Sequence, residues 1–182
     1  MKMKLFMIAI IMLFSLAGCG GNNDFTLPTP TNELTQEQFS YLEDLGLTVK
    51  SYEEEPSYTF ELAREWLIDD VAWGRVFKYL EVFDGVDAAE YIDKTLDSYR
   101  FVVEGHSSAQ WGDTGQSLAI ILTSDKKIVG GYAIPKMKSE ANQEELDGGP
   151  YPLNGEIEDF EEKAGMSFSE FDQYWAERYT DK

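Results

Sequence analysis

Hydrophobic residues occur along the chain in blocks of different period, and the changes of period separate one element from the next. Leu5 to Ala17 is apolar throughout except for Ser15. From Gly20 to Glu33, GGNNDFTLPTPTNE, there is no period, which reads as a tether with some polyproline character. Order starts with Thr35 as a helix cap paired with Gln38, and with Leu34 poised to pack on Phe39. Phe39, Leu42 and Leu45 follow at helical spacing, and Gly46 is the stop, so a helix is predicted over 35–45.

The period then shortens. LTVKSY (47–52) and YTFEL (58–62) alternate like strands around an acidic turn at 53–56. From Asp69 or Asp70 to Phe83 it lengthens again: Trp73, Val76, Phe77, Leu80 and Phe83 lie within about 120° on a helix, with Trp66 extending the stripe and Gly85 ending it. Such a stripe packs on a sheet. Three strands are predicted to supply that sheet: TLDSYRFVVEG (95–105), with Tyr99, Phe101 and Val103 on one face; SLAIILTS (117–124), apolar on both; and KIVGGYAIP (127–135), after a tight Asp125-Lys126 turn. Gly130 and Gly131 within the last imply a bulge or a close approach, either of Trp73 or Tyr99 or of a ligand. Residues 136–149 read as a mobile loop. The chain closes with a second capping box, Ser167 to Glu170, with Met166 packing on Phe171 and with Phe168, Phe171, Trp175 and Tyr179 on one face of a helix over 166–180.

The expected fold is α+β: an antiparallel sheet of three to five strands packed by a central helix, with amphipathic helices at both ends. Residues 34–182 form one domain, after a segment 1–18 and a tether 19–33.

Charge narrows the function. The formal net charge is −19, from 15 basic and 34 acidic residues, and removing residues 1–18 takes away two lysines and no acid. A surface of that sign repels nucleic acid.

Lys2 and Lys4 ahead of the apolar run make residues 1–18 a secretory signal, too short and too interrupted to be a membrane span. Leu16-Ala17-Gly18-Cys19 resembles the lipobox of bacterial lipoproteins, which implies cleavage before Cys19 and diacylglycerol on its sulfur. The expected location is the extracytoplasmic face of a cell membrane, held there by the lipid. Cys19 is the one cysteine of the chain, so its acylation leaves no thiol for a disulfide, redox or zinc site.

Candidate chemistry elsewhere is sparse. The connection GHSSAQWGDTGQ (105–116) carries the single histidine, His106, beside Ser107 and Ser108, with Trp111 and Asp113 further on. Serine, histidine and aspartate are the residue types of a catalytic triad, but no GxSxG elbow accompanies them and a loose loop does not fix one. His106, Trp111 and Asp113 are therefore kept as ligand or partner contacts, Trp111 as a stacking surface. Asp84, Asp87, Glu90 and Asp93 recur every three residues, which is not calcium-loop spacing, and Asp87 with Glu90 reads as a capping box. No catalytic residue, metal or cofactor is assigned. Phe171 and Trp175 are the partner face if the last helix does not dock.

The stretches LEDLGLTV, GVDAAEYIDKTLDSYRFVV, LAIILTSDKKIVGGYAIP and GGPYPLNG, over roughly residues 36–155, resemble a family of small extracytoplasmic domains of unknown function carried on lipoproteins of Gram-positive bacteria. Tyr99 and Val129-Gly130-Gly131 match its pattern; Ile92-Asp93-Lys94 stands where that family usually has a glycine-lysine pair. The resemblance implies an α+β envelope domain and transfers no catalytic residue. The resulting expectation is a lipid-anchored binding or interaction module whose partner is an envelope protein or wall component. The alternatives are an envelope enzyme working through carboxylates and a cation-responsive acidic domain.

Overall fold

The computed structural model describes residues 27, 29–68, 71–138 and 149–180. The signal segment, Cys19 and most of the tether, together with most of the loop predicted at 136–149, lie outside the described residues.

An antiparallel sheet organises the chain. Its order is β1 (Thr48–Tyr52), β3 (Thr95–Glu104), β4 (Ser117–Ser124), β5 (Lys127–Pro135) and β6 (Tyr151–Pro152), and β2 (Tyr58–Glu61) also pairs with β3. With the two-residue β6 the sheet has six strands. β1 pairs with the second half of β3 and β2 with the first half, so the two lie end to end along one neighbour. β4 is buried at every position, as a strand apolar on both faces must be in the centre of a covered sheet.

Each face has its own core. Helix α1 (Glu33–Asp44) covers Tyr99, Phe101, Val103, Ala119, Ile121 and Ala133. The opposite face packs Leu96, Leu118, Ile120 and Leu122 under α2 (Val71–Tyr79), which runs on into a π-helical turn, Leu80–Asp84. Trp66 is not part of that helix but of a separate 3₁₀ turn, Arg64–Leu67. The start of α1 also differs from expectation. Asn32, not Thr35, is the cap, and its Oδ1 accepts from the Thr35 amide at 2.7 Å, because an asparagine one turn upstream outcompetes the buried threonine.

The last helices dock. After α3 (Phe160–Ala164), α4 (Phe168–Tyr179) opens with the predicted capping box of Ser167 and Glu170. Phe171, Trp175 and Tyr179 are all buried. Trp175 Nε1 donates to the Leu67 carbonyl at 2.7 Å, while Lys78 pairs with Asp172 and Arg178 with Glu81 and Asp87. The aromatic stripe therefore belongs to the core, and Phe171 and Trp175 are not a surface for partners.

The close approach at the glycines is real, with different neighbours from those expected. A Cβ on Gly130, where φ is +153°, would lie 2.6 Å from Leu80 Cδ2; one on Gly131 would lie 2.6 Å from the Ile120 carbonyl and 2.7 Å from Leu153. A bulge between Leu122 and Thr123 accompanies them.

Candidate functional site

Built up from the register, one hollow lies on the α2 face of the sheet, beyond the edge of that helix. Arg100 pairs with Ile120 and Ile120 with Tyr132, forming one row across three strands; Val102, Leu118 and Ile134 form the next. A hollow of about 130 Å³ opens over these rows, lined by Tyr58, Trp73, Ser98, Arg100, Leu118, Ile120, Tyr132 and Ile134. Arg100 is the one charged residue among them. A second hollow of about 170 Å³ shares Arg100 and Leu118 and adds Ser51, Tyr52, Glu53 and Val102.

Aromatic rings build the wall. Phe60 sits between its neighbours, 5.6 Å from Tyr58 and 4.3 Å from Trp73 between ring centroids, and Trp73 meets Tyr132 edge-on at 6.3 Å. Tyr58 leaves 54% of its surface exposed. Burial raises the Tyr132 phenol above its ordinary range, and the charge of Arg100 opposes the rise. Glu53 is held opposite Arg100 by its own backbone, whose N–H donates to the Arg100 carbonyl at 3.3 Å.

A larger hollow, about 420 Å³, lies at the start of α1 and is lined by Glu33, Glu37, Glu54, Glu55, Lys126, Asn32, Leu34 and Tyr99. Glu54 is already engaged there: the Thr31 amide and hydroxyl donate to its two oxygens at 2.9 and 2.6 Å. Among the described residues no group of three or more His, Cys, Asp or Glu side chains is placed to hold a metal ion.

The 105–116 connection is not the loose loop expected from its sequence. A 3₁₀ turn, Ser107–Trp111, is capped by His106, whose Nδ1 accepts from the Ser108 amide at 3.1 Å. Ser108 Oγ lies 2.8 Å from both Nδ1 and Ser117 Oγ, and Nε2 lies 3.1 Å from the Pro152 carbonyl, to which it donates. Burial holds the imidazole below its ordinary pKa, against the pull of that carbonyl and of Glu156. Ser108 and Ser117 are wholly buried, so no substrate reaches their hydroxyls; the serine-histidine pair is a pin joining the loop to β4 and β6. Asp113 is exposed and accepts from the Lys138 amide at 2.6 Å, apart from the histidine network. Trp111 stays 60% exposed and does not fold back onto the core.

The expected box of Asp87 and Glu90 does not form: Asp87 alone caps a four-residue 3₁₀ turn, Ala88–Tyr91, its Oδ1 accepting from the Ala89 amide at 2.9 Å. Asp84 is different: burial pushes its carboxyl up to about 6, while the Asn154 amide, donating at 3.2 Å, and the charge of Lys163 oppose the rise.

The residues that converge are Arg100, Glu53, Tyr58, Trp73 and Tyr132, and sequence alone assigns none of them a site role, Trp73 being expected only as a core residue packed by the glycines. One signal for them exists. Arg100 is in phase with Leu96 and Val102, so it puts a charge on an inward face of a central strand. No family model, no curated protein and no solved structure matches this chain.

Proposed function

We propose that the chain is a lipid-anchored extracytoplasmic binding module whose ligand seat is the Arg100 hollow. The observation that carries the seat is the meeting of one guanidinium with an aliphatic floor and an aromatic wall. Ligand sites combine these features: a mostly apolar lining with a few placed polar groups that fix orientation. The anchor rests on Leu16-Ala17-Gly18-Cys19 behind a lysine-led apolar run, and the strand motifs resemble those of small extracytoplasmic lipoprotein domains.

Two measurements test it. Cys19→Ala is expected to release the protein from membranes or leave its signal uncut; normal processing with unchanged membrane retention overturns the anchor. A panel of small anionic, neutral and cationic fragments is expected to shift the amide NMR signals of Arg100, Ile120 and Tyr132. Shifts spread elsewhere, or none with any fragment, overturn the seat.

A further inference from the structure

The two hollows that share Arg100 differ in chemistry, and together they have the layout of a site for a zwitterion. In the smaller, about 130 Å³, every described lining group except Arg100 is uncharged, and Leu118, Ile120 and Ile134 with Trp73 and Tyr132 supply its apolar part beside the polar Ser98 and Tyr58. A cavity of roughly 150 Å³ lined by apolar side chains accepts a benzene ring, so this one fits a side chain of leucine to phenylalanine size. Across Arg100, the hollow of about 170 Å³ counts the acidic Glu53 and the hydroxyl-bearing Ser51 among its lining residues. Glu53, the residue after β1, and Arg100 of β3 lie side by side, their backbones joined by the hydrogen bond from the Glu53 amide to the Arg100 carbonyl.

We infer that this site takes a free α-amino acid with an apolar side chain, its carboxylate on Arg100, its ammonium on Glu53, and its side chain in the aromatic hollow. The inference rests on the binding-module reading above and names the ligand class for the same seat. Charge complementarity selects the occupant. One guanidinium presents a planar fork that matches a carboxylate. A phosphate dianion would need more than one cation, and among the described residues no second cation lines either hollow. Net charge argues the same way: a chain at −19 repels polyanions, whereas a zwitterion carries no net charge to repel. Arg100, Trp73 and Tyr52 already make contacts within the chain, so the ligand competes with these and binds in the micromolar to millimolar range rather than tightly.

The test is calorimetric titration of the full chain with L-phenylalanine and L-leucine, beside analogues that each delete one feature. N-acetyl-L-phenylalanine lacks the ammonium, L-phenylalaninamide lacks the carboxylate, and glycine lacks the side chain. L-Phenylalanine or L-leucine is expected to bind, each analogue at least about tenfold more weakly, and Arg100→Gln and Glu53→Gln to erase the preference over the amide and over the N-acetyl form, respectively. Equal binding of the N-acetyl form or the amide overturns the zwitterion assignment and leaves the seat standing. Failure of both amino acids while fragments of the panel still shift Arg100 and Ile120 overturns the amino acid and keeps the module. Failure of the amino acids and of the whole panel overturns both. The analogues act on the wild-type chain, so the result does not depend on either variant folding.

Discussion

The indole N–H of Trp175 donates to the main-chain carbonyl of Leu67, 2.7 Å away and 108 residues earlier. This bond joins the last helix to the 3₁₀ turn that leads into α2. The same ring lies 4.5 Å from Tyr179 and 6.0 Å from Phe171 between centroids. A terminal helix held in this way is part of the folding unit. Trp175→Ala is expected to cost about 3–5 kcal/mol, and Trp175→Phe, which keeps the packing and orphans the Leu67 carbonyl, about 1–2 kcal/mol. Urea denaturation checks both; a loss under 1 kcal/mol for the alanine variant would show that α4 is only loosely attached.

Asp84 gives the stability curve an acid-side slope. Its carboxyl titrates at about 6 in the folded chain against an ordinary 3.8, so the fold prefers it protonated. The stability this provides is complete below the ordinary value and is lost as pH rises through about 6. Asp84→Asn keeps the oxygen that accepts from Asn154 and removes the buried charge. It is expected to gain about 1–2 kcal/mol at pH 7 and nothing at pH 3.5. Equal gains at both pH values would be inconsistent with a titrating carboxyl.

His106 slopes the other way. Its pKa lies below the ordinary 6.5 because burial disfavours the imidazolium, so the folded chain holds the ring neutral. That contribution is full above 6.5 and is lost as pH falls through the lower folded value. The ring-proton NMR signals of this single histidine are expected to show a midpoint below 6.5 in the native state and a return to about 6.5 in denaturant. Ser108→Ala, which leaves Ser117 and Nδ1 without that hydroxyl, should cost about 1–2 kcal/mol.

The α1 seam is underpaired. Four of the five buried side-chain atoms without a hydrogen-bond partner among the described residues are Thr35 Oγ1, Gln38 Nε2 and Oε1 and Tyr41 Oη, all on this helix; the fifth is Thr123 Oγ1. Burying an unpaired amide costs about 1–3 kcal/mol. Gln38→Met, of similar volume, is expected to stabilise the domain and raise Tm by about 2–4 °C. A fall in Tm would mean that the amide is satisfied in solution.

At β5 the expectation runs against substitution. Gly131→Ala would drive a methyl against the Ile120 carbonyl and Leu153, and should destabilise by about 1–3 kcal/mol or displace Leu153. A variant of wild-type stability would show that the sheet tolerates a wider spacing there.

Much of this architecture was legible in sequence because period and capping are local. Ser167 and Glu170 lie three residues apart, and the double-sided apolarity of 117–124 required cover on both faces. What was not legible depends on register. Nothing local says that Arg100 stands beside Ile120 and Tyr132, or that β1 and β2 share β3 end to end and thereby leave Glu53 next to the arginine. His106 and Ser108 drew attention because their types and spacing suit catalysis; only their burial shows them to be a structural pin. Trp175 was ambiguous for the opposite reason, since an aromatic stripe reads alike whether its cover is the core or a partner.

The Thr31 clamp on Glu54 has a mechanical consequence. A pull delivered along the chain ahead of Thr31 divides at that residue. One branch runs through the two hydrogen bonds into the loop between β1 and β2, the other through Asn32 into the first turn of α1. A tug on the tether is thereby shared between the first turn of α1 and, through the β1–β2 loop, the two strands that pair with β3.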